Sequence, residues 1–153
     1  MHSFPFTDAL LFAYGEIMQN VREIMNPKVV AIGAADRLLT AEDIMTLGHV
    51  RHMPVVQSGR LVGVVSERDL LRASPSCLGS QATEDRRAFL NSVEVGDVMS
   101  SPPVLIDIKA SVQDAAKLMV ANEIGCLPVV GDAGELLGIL TETHMLEVLA
   151  AHL

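Results

Sequence analysis

The chain repeats itself, and that duplication constrains its fold more than any single element does. VREIM at 21–25 returns as VGDVM at 95–99, an offset of 74 residues. HMPVV at 52–56 returns as CLPVV at 126–130 at the same offset of 74. GRLVGVVSERDLL at 59–71 then returns as GELLGILTETHML at 134–146, with the offset raised to 75. The extra residue falls where QSG becomes GDAG, a polar, Gly-containing turn, and turns are where insertions are best tolerated. Internal self-similarity of this kind marks a duplicated supersecondary unit.

Both copies have the same pattern. A short apolar segment, KVVAI or PVLI, predicts a strand. A helix follows, TAEDIMTLG or SVQDAAKLMVANE, the second opened by the capping box SVQD. Two apolar runs separated by a Gly-containing turn, MPVV and RLVGVV in the first copy, predict a hairpin. ERDLLRA or ETHMLEVLAAHL closes each copy as a helix. The fold class is therefore α/β (α+β), with the order β-α-β-β-α occurring twice. Each copy is too short to bury a sheet face and two helix faces alone, so the two are expected to pack as one body.

The first repeat takes residues 18–72 and the second 95–153, joined by a linker at 73–94. The linker begins Ser/Gly/Pro-rich, and its TEDRRAFLN predicts a short helix starting near Thr83 or Glu84. Residues 1–17 stand outside the repeat; DALLFAYGEIM predicts a helix with one apolar face that must pack on its own body or on a neighbour. Met18 directly precedes the first repeat and is an alternative start.

Composition narrows the class further. Half the residues are hydrophobic, yet the chain has one Tyr and no Trp, so the core must be mainly aliphatic. A net charge of −8 argues against nucleic acid, whose phosphates ask for a basic face. No apolar run approaches the roughly 18–20 residues that span a bilayer. The start, MHSFPFTDALLFAYGE, lacks the cationic n-region of a secretory signal. Cys77 and Cys126 form no metal-finger or disulfide-framework spacing, which favours a reducing, cytoplasmic setting.

The ordered set VxxIM or VxDVM, then MPVV or LPVV, then GxLVGVVSERDLL, occurring twice over residues 18–149, resembles a pair of CBS domains, the regulatory module named after cystathionine beta-synthase. The resemblance implies a Bateman-type module: two repeats forming one unit with two clefts between them, commonly assembled as a flat homodimer. It also implies an adenosine-containing ligand, AMP, ADP, ATP or S-adenosylmethionine, with no catalytic residue and no required cofactor.

Such a ligand asks for an apolar slot for adenine, a carboxylate for the ribose diol and cations or free N–H groups for phosphates. Val29, Val30, Val50, Met53, Pro54 and Val64 can build the slot. The family pattern places a hydroxyl at Ser66 and the ribose carboxylate at Asp69, with Arg68 between them able to lean over the ligand. In the second repeat Thr141 keeps the hydroxyl, but His144 replaces the aspartate, and a neutral imidazole offers one acceptor where a carboxylate offers several. Before the proline stand Arg51 and His52 in one copy and Gly125 and Cys126 in the other. The resemblance points those positions toward phosphates of the nucleotide anchored by the other repeat, and Lys28 and Arg68 can add local charge.

Simpler readings stand beside these. SERD is also an ordinary [ST]-x-x-[DE] helix cap, Arg51 and His52 also fit a solvated turn, and Cys126 fits a small buried side chain. His49 and His52 lack the further ligands a zinc site needs. The imperfect clefts and the N-terminal extension fit an alternative: a ligand-free dimerisation or docking module that regulates a partner enzyme or transporter.

Overall fold

A computed structural model describes residues 19–75 and 82–152. The helix expected within residues 1–17, Met18 and Cys77 lie outside the described residues. The chain passes through helix α1 (Val21–Ile24), strand β1 (Ile32–Gly33), helix α2 (Leu38–Gly48), strands β2 (His52–Gln57) and β3 (Arg60–Ser66), and helix α3 (Glu67–Ala73). Helix α4 (Ala82–Leu90) and a 3-10 turn at Val95–Asp97 follow. Strand β4 (Ile106–Asp107), helix α5 (Val112–Asn122), strands β5 (Cys126–Val130) and β6 (Leu136–Thr141), and helix α6 (Glu142–His152) complete the second copy. The order β-α-β-β-α thus appears twice, and α4 lies where TEDRRAFLN predicts it.

Each copy builds a three-stranded sheet, ordered β1-β2-β3 or β4-β5-β6. β1 runs parallel to β2, and β4 runs parallel to β5. Parallel neighbours need a crossover, which α2 and α5 supply. Each crossover helix ends on a left-handed residue, His49 at φ 52° and Glu123 at φ 53°, which turns the chain back toward the sheet. The first hairpin closes on Ser58 and Gly59, both at positive φ, as a tight two-residue turn requires. The second hairpin has a longer connection, and the extra residue of the repeat lies there.

A proline in a central strand is unusual, because it withholds a ladder donor. Pro54 sits in β2 opposite Val64. Val64 directs both backbone groups the other way: its N–H donates to Ser100 O at 3.1 Å, and its C=O accepts from Ser100 N at 2.9 Å. No ladder bond is therefore asked of Pro54 on that side. On the other side β1 reaches only Val55 and Val56. The proline of HMPVV is fully buried without leaving an unmet bond.

The chain forms two compact units whose limits differ from those of the sequence repeats. The first unit holds residues 28–104 with 134–136; the second holds, of the described residues, 19–27, 105–133 and 137–152. VREIM precedes the first repeat in sequence but borders the sheet of the second. Asn26 exchanges two backbone bonds with Ile139 of β6, at 2.9 and 3.0 Å. VGDVM borders the sheet of the first in the same way, through Ser100 and Val64. Each β3 or β6 edge thereby gains a partner for backbone groups that would otherwise be unpaired.

The core of the first unit is aliphatic, as composition requires. Leu38, Met53, Val55, Val65, Leu90 and Val95 are fully buried within it. In the second unit Val21, Leu127, Val129 and Leu140 are fully buried.

Candidate functional site

Ser66 ends β3 and begins α3, and the sequence builds a reciprocal cap there. Asp69 N donates to Ser66 Oγ at 3.2 Å, while Ser66 N donates to Asp69 Oδ2 at 2.8 Å. The Ser66 hydroxyl donates to the same Oδ2 at 2.9 Å. Asp69 is half-buried, and its other oxygen, Oδ1, takes no hydrogen bond among the described residues. The carboxylate is therefore held in one orientation with its remaining acceptor uncommitted.

β2 brings the HMPVV motif to this box. His52 pairs with Ser66 across the ladder, and Glu67 N donates to Arg51 O at 2.9 Å. Residues 51–54 and 66–69, distant in sequence, thus meet at one end of the sheet. Val64 is half-buried opposite Pro54. The Met53 side chain is fully buried in the hydrophobic core. Val30, on the approach to β1, is 43% exposed, and Val29 beside it is half-buried. Lys28 and Arg68 are exposed.

Arg51 and Val50 also reach the helical face. They line an open groove of about 400 Å³ on the helical face, among α2, α3 and α4, with Glu42, His49, Glu67 and Arg86. Arg86 pairs with Glu42 across it, and Arg87 pairs with Asp43 at 3.3 Å. Sequence reading finds α4 but not its seat. The opposed charges on the two helices are the signal that points to it.

The second copy repeats one half of the cap with different chemistry. Thr141 N donates to His144 Nδ1 at 3.0 Å, and the Thr141 hydroxyl lies 3.2 Å from the same nitrogen. An amide N–H needs a bare lone pair, so Nδ1 carries no proton, and the neutral ring holds its hydrogen on Nε2. His144 thus takes the capping part that Asp69 Oδ2 takes in the first copy. Its far side presents a donor, where Asp69 presents an acceptor.

Cys126 is a free, buried thiol at the start of β5, and desolvation pushes its pKa up to about 12. A thiol so shielded is not a nucleophile at neutral pH. Among the described residues no group of three His, Cys, Asp or Glu side chains can hold a metal ion. No helix among them is long and apolar enough to cross a membrane.

A duplicated β-α-β-β-α unit, with a helix start facing an HMPVV-type strand in each copy, defines a two-repeat module. The CBS domain family model matches residues 21–76 and again 95–151, and the chain belongs to that family. A CBS domain-containing protein of Dictyostelium discoideum is 32% identical over 130 residues, covering 84% of this chain and 90% of its own. The structure of CBSX2 in complex with AMP matches with a TM-score of 0.69 and 26% identity, covering 86% of this chain and 96% of that one. The CBS domain of a CBS domain-containing membrane protein from Sphaerobacter thermophilus matches with a TM-score of 0.77 and 26% identity, covering 92% and 94%.

Proposed function

We propose that the chain is a non-enzymatic regulatory module that binds one adenosine-containing ligand, AMP, ADP, ATP or S-adenosylmethionine, with its ribose on Asp69. The observation that carries this reading is the uncommitted Oδ1 of a carboxylate locked by its own cap. A ribose diol donates two hydrogen bonds, and an oriented carboxylate accepts them at charge-assisted strength. The AMP complex of CBSX2, a relative at 26% identity, supports the ligand class. His144 offers the diol a donor instead of an acceptor, so the second box is a poor ribose site and one ligand per chain is expected. A homodimer, a cytoplasmic setting and a regulated partner enzyme or transporter belong to the same proposal. Regulation follows if the ligand prefers one of two arrangements of the module.

The test is calorimetry with the four ligands on protein freed of co-purified nucleotide. At least one should bind, and Asp69→Asn should weaken it by about tenfold, the difference between charged and neutral hydrogen bonding. The amide oxygen that this substitution introduces can still accept from Ser66 N, so helix α3 should survive. Binding by none of the four, or equal binding by Asp69→Asn, would sink the reading. The second reading, a ligand-free docking module, is favoured by the cap itself, which already gives Asp69 a complete structural role. It predicts that substitution at Asp69 changes stability and nothing else.

A further inference from the structure

In the second unit an imidazole lone pair carries a bond that the first unit makes with a carboxylate. Thr141 ends β6, and Glu142 begins α6. Thr141 N donates to His144 Nδ1 at 3.0 Å, and the Thr141 hydroxyl lies 3.2 Å from the same atom. The half-buried His144 ring makes no other hydrogen bond among the described residues. The hydroxyl can turn round, since it both donates and accepts, but the backbone N–H can only donate.

A second bond ties the same corner to the sheet and involves no side chain. Glu142 N donates to Gly125 O at 3.0 Å, as Glu67 N donates to Arg51 O at 2.9 Å in the first unit. The neighbouring amides of Thr141 and Glu142 therefore have acceptors of different kinds. A carbonyl accepts at any pH, whereas an imidazole ordinarily changes charge between pH 5 and 8. With a proton on both nitrogens the ring has only donors, and the Thr141 N–H then faces an N–H. In the corresponding place on the first unit Ser66 N donates to Asp69 Oδ2 at 2.8 Å, and a carboxylate keeps its acceptors over that range.

No neighbour supplies a replacement acceptor. On α6 the charged groups are Glu142, whose carboxyl lies against Gly125, and Glu147, three residues beyond His144. Lys117 and Glu123 are exposed on α5 and at its end, and Arg22 and Glu23 are exposed on α1. The Cys126 thiol at the start of β5 is uncharged at neutral pH, and β6 has no titratable residue. None of these side chains bonds to Thr141 or His144.

We propose that His144 makes the β6–α6 junction a pH-sensitive joint, closed while the ring is neutral and released when the ring takes up a second proton in mild acid. The proton acts on the second unit alone, so acid distinguishes two copies that otherwise repeat each other. The device needs no nucleotide and is independent of the ribose site at Asp69.

The test is residue-resolved amide exchange of the ligand-free full chain at pH 7.5 and 5.5, with each rate taken relative to its intrinsic value. Thr141 N–H should exchange about fivefold faster at the lower pH, the loss expected for one capping bond. Glu142 and Ser66 N–H should change by less than about twofold. Nitrogen-15 shifts of the His144 ring should show a bare Nδ1 at pH 7.5 and two protonated nitrogens at pH 5.5. His144→Asn places an amide oxygen within reach of Thr141 N at both pH values, and should keep the protection while abolishing the response. An unchanged Thr141 rate in the parent, or a response that persists in His144→Asn, would overturn the proposal. So would equal responses at Thr141, Glu142 and Ser66, since acid would then be loosening the fold generally.

Discussion

Gly63→Ala is a small change with a large expected cost. Gly63 lies in β3 opposite Val55, and the chain of VGDVM crosses directly over it. A methyl group there would sit 2.6 Å from Met99 Sδ and 2.7 Å from Ser100 O. The sulfur is at the end of a flexible side chain and can swing away. The carbonyl cannot, because Ser100 is held to Val64 by bonds of 2.9 and 3.1 Å. Relief therefore requires the crossing segment to back off and both bonds to lengthen. Overpacking of a filled site costs about 1–3 kcal/mol, and weakening two backbone bonds adds about 1 kcal/mol. The unfolded chain loses freedom when Gly becomes Ala, which returns about 0.4–1 kcal/mol. The net loss spans about 1–3.6 kcal/mol, centred near 2.

The duplication supplies the control. At Gly138 a methyl group would sit 2.5 Å from Met25 Sδ, but the nearest carbonyl, Asn26 O, is at 3.0 Å. There the flexible sulfur carries most of the clash, so Gly138→Ala should cost about 1 kcal/mol. Urea unfolding of both variants with unchanged m-values reads the difference. In the first unit Met99→Ala should rescue Gly63→Ala only in part, since the Ser100 carbonyl remains. Full rescue, or a Gly63 loss no larger than the Gly138 loss, would refute the reasoning that the carbonyl is the obstacle.

Two further outcomes follow from the sites. His144→Asp should keep the α6 cap, with stability within about 0.5 kcal/mol of the parent, and should raise the calorimetric stoichiometry from one adenosine ligand per chain to two; unchanged stoichiometry would show that the box chemistry does not limit the second copy. Cys126, studied in a Cys77→Ser background, should resist alkylation in the folded protein at pH 8 and react on unfolding. Its pKa is raised by burial to about 12 from 9.0, so the folded state holds a proton that the unfolded state has lost between those values. Stability from this group is therefore complete below pH 9 and declines above it by up to about 1.4 kcal/mol per pH unit. Cys126→Ala should flatten that decline, and an identical alkaline slope in the two proteins would contradict it.

Local pattern makes most of the fold legible, and symmetry hides the rest. The hairpin strands, α2 and α4 follow from periodicity and turn residues, which act over a few positions, whereas KVVAI and PVLI predict longer first strands than Ile32–Gly33 and Ile106–Asp107. Which sheet VREIM borders does not, because VREIM and VGDVM match each other and either fits either edge. The Gly63–Met99 and Gly138–Met25 contacts show the fit, but both repeats carry both residues, so sequence complementarity is degenerate between them. At the site, the Ser66–Asp69 cap is legible because hydroxyl and carboxylate have box spacing. Met53, read in sequence as part of an apolar slot, is fully buried in the core; apolar residues for core or slot look alike in sequence. The Thr141–His144 bond is not legible in TETH, since an imidazole is outside the [ST]-x-x-[DE] pattern. Its geometry shows what the cap requires: one acceptor atom turned toward the backbone N–H, Oδ2 in Asp69 or Nδ1 in His144. The atom on the far side is under no such demand. The helix start can therefore stay in place while its outward face changes from acceptor to donor.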